Sequence, residues 1–235
     1  MRKTILLASI STAVALPSTV GTVQAIDLEL SGSAGTDVTS AYVFRGSRVN
    51  DKWNVQPYFE ARSEDYDVTV GTWGNLNTTL REFDKIDYYV SWGVPLGEEI
   101  PIDMSLGYTE YTFPTTTNDA DREIQIRLKP TTEVVLDPKL LVGVGLEGPF
   151  LNEGLYLELN GGHDYELNED ITLLSGAKLG AELGDNFRNN GLSYLELSVG
   201  VKCDIASVNF NFVIETDDKV LRVEEEFYVT FSIGI

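Results

Sequence analysis

From about Ala34 to Ile235 the chain is a succession of segments of roughly ten residues in which apolar and polar side chains alternate, each closed by a Gly, Pro, Asn or Asp turn. Leu155-Tyr156-Leu157-Glu158-Leu159-Asn160 and Val208-Asn209-Phe210-Asn211-Phe212 show the pattern most plainly, with Leu195 to Lys202 close behind. A period of two gives a strand two unlike faces. In a soluble sandwich the apolar face turns inward, whereas in an outer-membrane barrel it meets lipid and the polar face lines the lumen. Alternation alone does not choose between them.

The N-terminus helps to choose. Met1-Arg2-Lys3 is a basic start, Ile5 to Leu16 is mostly apolar, and Val23-Gln24-Ala25 offers small side chains for cleavage ahead of Asp27 and Glu29. Residues 1–25 therefore read as a cleaved secretory signal and 26–235 as one barrel domain. The apolar stretch is too short for a spanning helix, which needs about twenty residues. With the single Cys203 no internal disulfide forms, so the exported chain must be held by sheet closure or by lipid.

Charge narrows the partners. Lys and Arg number 17 against 37 Asp and Glu, for a formal net charge of −20. Nucleic acid is thereby a poor partner, and a surface in divalent cations or high salt, or a lumen that attracts cations, suits the balance. Solvation of loops accounts for the same excess. Neither a phosphate-cradling Gly loop nor a Cys/His metal cluster is present in the sequence, so no cofactor and no metal are expected.

Splitting at turn signals gives twelve candidate strands, at about 36–45, 53–62, 66–75, 85–94, 101–112, 122–129, 139–147, 154–163, 171–182, 193–203, 206–215 and 225–235. The expected fold is all-β: a closed, antiparallel, up-and-down transmembrane barrel of twelve strands, an even number as such barrels require. Arg62 to Asp65 and Cys203 to Ile205 are short and fall at periplasmic positions. Gly74 to Asp84, Phe113 to Asp121 and Thr216 to Glu224 are long and fall at external ones. Trp53, Tyr66 and Trp92 mark strand ends, where amphipathic rings prefer the interface. Pro57 cannot donate to a ladder, so a local bulge is expected there.

At Thr39-Ser40-Ala41-Tyr42-Val43-Phe44-Arg45-Gly46-Ser47 the chain resembles the first strand and first loop of the TorF-type family of outer-membrane porin-like proteins. The resemblance is specific around Tyr42 to Gly46 and implies a barrel with a porin role, with no defined substrate. Physically, the motif would put Arg45 on the lumen side where the strand leaves the membrane, with Gly46 in a tight turn. Phe227 to Ile235 has the alternation of a closing, assembly-signal strand, although it ends in Ile rather than an aromatic residue.

On the same parity the pore-lining candidates are Arg45, Tyr58, Glu60, Lys85, Asp87, Arg127, Glu158, Lys178, Glu196 and Lys202. Folding the ninth and tenth strands about residue 187 sets Lys178 opposite Glu196, with Glu158 one rung away, a cross-strand cluster worth about 0.2–1 kcal/mol per contact. Such charges either brace the wall or select solutes. An enzymatic reading is not favoured: the one histidine, His163, faces lipid, and Ser175 on the next strand is expected about four residues out of register, too far for a hydrogen bond. The expectation is an outer-membrane porin-like channel of a Gram-negative-type bacterium for passive diffusion of small solutes or ions. A continuous path would favour cations. The alternatives are a structural or adhesive barrel with a plugged lumen and, behind both, a soluble lipid-binding barrel. The partners expected are outer-membrane lipid, the barrel-assembly machinery and small solutes or ions, and the oligomeric state stays open.

Overall fold

The computed structural model describes residues 29–97, 99–151, 153–184, 191–217 and 222–235, with side chains omitted at 217 and 222–224. The signal segment 1–25 lies outside them. In chain order the strands are β1 (Leu30–Thr39), β2 (Tyr42–Phe44), β3 (Ser47–Asn50), β4 (Asn54–Ser63), β5 (Val68–Asn77), β6 (Glu82–Val94) and β7 (Ile102–Thr112). They continue as β8 (Asp121–Pro130), β9 (Lys139–Glu147), β10 (Leu155–Glu166), β11 (Ile171–Leu183), β12 (Gly191–Cys203), β13 (Ala206–Asp217) and β14 (Arg222–Gly234).

Among the described residues, twelve of these strands pair with their sequence neighbours into one closed antiparallel barrel, and β2 with β3 forms a separate two-stranded sheet. Closure is made at β1, where Val38 lies opposite Phe231 of β14 on one side and opposite Val55 of β4 on the other. Closing the sheet leaves no edge of unpaired backbone groups, the condition for a strand-built wall in lipid.

The register keeps one parity around the ring. Val70, Val90, Tyr108, Ile124, Val144 and Leu155 follow one another across β5 to β10. Leu197 faces Phe212, which faces Phe227. These side chains form the outer surface, where Leu197, Val199 and Phe231 are about half exposed. The opposite parity carries Asn, Gln, Tyr and the charges, and that is where the buried polar residues sit, Asn54, Asn75, Lys85, Glu123 and Glu196 among them. A surface apolar outside and polar within is the reverse of a soluble sandwich. It is the distribution lipid selects.

Three sequence expectations are corrected. The first wall strand is Leu30–Thr39, not 36–45. Its Ser- and Gly-rich start has weak strand propensity, and pairing on both sides overrides it. Tyr42 to Phe44, with Arg45 behind them, leave the wall altogether. At Pro57 there is no bulge: Pro57 pairs with Thr36 of β1, and on its other side the β4–β5 ladder omits Gln56 and Pro57 and resumes in the same register. The missing N–H is met by a gap, not by an inserted residue. Finally, β5 and β6 are joined by residues 78–81 alone, a much shorter connection than Gly74 to Asp84.

Candidate functional site in the lumen

The connection between β1 and β4 turns inward. Phe44-Arg45-Gly46-Ser47 is a two-residue hairpin turn in which both central residues have left-handed backbone, φ 50° and 80°. That is the pairing a type I′ turn requires, and it matches the twist of the flanking strands. Gly46 is also sterically obligatory, because a Cβ there would run into the Tyr194 side chain.

Around the hairpin the wall supplies a partner for almost every side chain. Tyr42 packs on Trp73 with ring centroids 5.8 Å apart, and Phe44 meets Tyr111 edge-on at 6.0 Å. Val43 packs against the buried cluster of Tyr156, Tyr194 and Val213. Arg45 Nη2 donates to both carboxylate oxygens of Glu123, at 2.7 and 2.8 Å, and its guanidinium lies 3.9 Å from the centre of the Tyr156 ring. Glu123 also accepts from Tyr111 Oη at 2.9 Å and Gln125 Nε2 at 2.7 Å. Gly143 on β9 leaves the space that this carboxylate fills. Ser47 donates to Glu215, and Arg48 pairs with Glu226 at 2.6 Å.

Lys85 completes the layer from the wall, 3.2 Å from Asp87 and with its ammonium 3.8 Å above the Phe44 ring. At the hairpin's exit, Asn50, Asn54, Asn75 and Gln56 exchange amide hydrogen bonds, and Asn75 donates onward to Asp84. Three ladder irregularities, at Asn75/Leu76, Arg122/Glu123 and Gly180/Ala181, all lie in the same half of the barrel. Bulges at a rim re-aim side chains, and here they surround the hairpin.

The hairpin divides the lumen. Toward the opposite end lies a cavity of about 1390 Å³ lined by Arg62, Arg127, Lys129, Lys139, Glu158 and Asn160 among others. Two smaller cavities, of about 290 and 370 Å³, share Lys178 and Glu196 as lining residues. On the hairpin side a cavity of about 520 Å³ lies between Tyr42, Phe44 and Val49 and residues 113–118 and 149–151. It shares no lining residue with the other three.

Of the pore-lining candidates, Tyr58 lies opposite Trp73 and Glu60 opposite Gly71, where Tyr89 Oη donates to Glu60 at 2.9 Å. Arg127 donates to Gln125 and faces the large cavity. Lys202 sits across from Thr172 and Ser207 near the end remote from the hairpin. Lys178 pairs with Glu196 at 2.9 Å in the expected register. Glu158 lies one rung from Lys178, as expected, opposite Gly180, and its hydrogen bonds come from the Tyr156 and Tyr194 hydroxyls, each at 2.6 Å, and from Asn160. Arg45 is on the β2–β3 hairpin, not on the wall. Outside the strands, hydrogen bonds from Lys139 and Lys129 hold the Asp137 carboxyl below its ordinary range.

The sequence reading missed Arg48, Tyr111, Tyr156, Tyr194, Glu215 and Glu226 as members of this site. A signal was available: Arg45-Gly46 between Tyr42-Val43-Phe44 and Ser47 to Asn50 has the form of a two-residue hairpin. The His163 register is also corrected. Ser175 is directly opposite His163, yet its hydroxyl donates to the His163 backbone carbonyl at 2.9 Å, while His163 Nδ1 is 2.8 Å from the Val135 carbonyl. The hydroxyl-to-imidazole hydrogen bond of a nucleophile and its base is not made at this pair.

The fold and its polar, hairpin-divided lumen define a membrane-type β-barrel. Among solved structures the chain is similar to the NanC porin, with a TM-score of 0.52 at 9% identity over 86% of this chain and 99% of that one. It is also similar to an outer membrane channel from Pseudomonas putida F1, at 11% identity, TM-score 0.43 and coverage of 93% and 99%. LpxR from Salmonella typhimurium follows at 10% identity, TM-score 0.44 and coverage of 86% and 99%. At these identities the likeness is one of fold. No family model and no curated sequence matches the chain, so the TorF-type resemblance rests on Tyr42 to Gly46.

Proposed function

We propose that the protein is an outer-membrane channel of a Gram-negative-type bacterium for passive diffusion of small solutes or ions. The observation that carries this reading is the charged cavity of about 1390 Å³ inside a closed barrel whose outer face is apolar. A barrel serving only as a scaffold can fill its interior with side chains, whereas this lumen keeps an open volume lined by charge. The shared fold with the NanC porin and the TorF-type motif agree with it. In this reading the hairpin end is external and the larger cavity opens toward the periplasm. Residues 1–25 would be removed during export, and insertion would fall to the barrel-assembly machinery. An intact mass beginning at Ile26 from membrane fractions is the expected result.

The hairpin favours a second reading, a structural or adhesive barrel with a plugged lumen, because the cavities on its two sides share no wall. Planar-bilayer recording of the purified protein separates the two. Discrete conductance steps support the channel, and silence from a folded, inserted barrel supports the plug.

A further inference from the structure

Resting on the channel reading, we propose that the β2–β3 hairpin is a counter-charge plug, and that the acidic belt it neutralises is the ion-selective constriction of the lumen. On the inner wall of the hairpin half, Asp87, Asp121, Glu123, Glu215 and Glu226 lie on β6, β8, β13 and β14, all five at least largely buried. Among the described residues of that half the wall contributes two inward cations, each held by its own acid, Lys85 against Asp87 and Lys178 against Glu196. Asp121 accepts from the Phe150 and Leu151 amides, and the other three are met by the hairpin: Arg45 reaches Glu123, Arg48 reaches Glu226, and Ser47 brings a hydroxyl to Glu215.

Carboxylates spread around a narrow, poorly solvated ring repel one another unless counter-charge is present. The hairpin supplies it in tethered form. A ring of carboxylates is also how pores admit cations, so the same side chains would favour cations wherever the tethered arginines do not cover them. The hairpin thus sets two properties together, how much passes and which sign passes. By contrast the larger cavity beyond it balances Arg62, Arg127, Lys129 and Lys139 against Asp65, Asp67, Asp103 and Glu158, and selects weakly.

The geometry permits a clean test, because β1 and β4 are paired neighbours and a short turn can join them without residues 42–50. In bilayers under a KCl gradient, a chain with 42–50 replaced by Gly-Ser-Gly should conduct several-fold more than the full chain and reverse at a more cation-selective potential. Adding Glu123→Gln, Glu215→Gln and Glu226→Gln to that deletion should reverse the gain in cation selectivity and keep the conductance. An inserted deletion variant with unchanged conductance and reversal potential overturns the plug and leaves the channel reading standing. Selectivity indifferent to the three substitutions overturns the acidic belt. Silence from both inserted chains overturns the channel reading, and the proposal with it. If the deletion does not insert, the full chain with Arg45→Gln and Arg48→Gln decides: a reversal potential moved toward cations supports the proposal, and an unmoved one overturns it.

Discussion

Arg45 stands in a costly place. Its backbone is left-handed, which costs a residue with a Cβ about 1–2 kcal/mol, and its guanidinium is taken almost wholly out of water. Both costs are offset by one carboxylate whose two oxygens it bridges. Removing that carboxylate is therefore worse than removing an exposed partner. Glu123→Gln should lower the unfolding free energy of the micelle-solubilised barrel by about 3–5 kcal/mol, the usual cost of stranding a buried charge. Glu196→Gln, which leaves behind only a lysine that is nearly half exposed, should cost about 0.2–1 kcal/mol. Urea unfolding followed by tryptophan fluorescence reads both. Equal midpoints for the two variants would mean that Arg45 is solvated rather than held.

At the scale of the element, facing is what the strands settle and what the sequence makes easiest to read. On β12, Leu197 points outward opposite Phe212, while the next residue, Ser198, points inward opposite Asn211. Arg at Leu197 should cost about 2–4 kcal/mol on folding into lipid, and Arg at Ser198 far less. Refolding yield into vesicles, read as the heat-modifiable band on a gel, checks this, and equal tolerance would reverse the facing. The same alternation made eleven of the twelve wall strands legible to within a few residues. It failed at the first because Tyr42-Val43-Phe44 is a run of strong strand formers, and strand propensity says nothing about which sheet a strand joins. Ser31 to Thr36 carries few strand formers and reads as a loop until its two neighbours are known. The Lys178–Glu196 pair was legible because one turn fixed its register. The site around Arg45 was not, since its members come from strands all around the wall and only closure brings them together. Ser175 and His163 show the reverse error, a register misjudged by four residues when the turn between them was placed wrongly.

For the whole molecule the governing quantity is the excess of acid, a formal net charge of −20 carried by a chain whose outer belt is nearly uncharged. The charge is therefore concentrated at the two mouths and inside the lumen, and there its effect depends on distance. Mouth carboxylates act through water, where the screening length is about 10 Å at 0.1 M salt and about 3 Å at 1 M. Charges within the barrel, such as Glu196 and the acids around the hairpin, are screened much less. The two contributions separate by ionic strength. If the channel conducts, its cation preference should be greatest in dilute KCl, fall as the salt is raised, and level off above zero at the value set by the interior. Glu196→Gln should lower that plateau while leaving the salt-dependent part nearly unchanged, because the mouths are intact. Reversal potentials measured at one fixed concentration ratio over a range of absolute concentrations give both parts. A preference that vanishes at high salt would place selectivity wholly at the mouths, and an anion preference at any salt would show that Arg127, Lys129 and Lys139 outweigh the acids along the path that ions take.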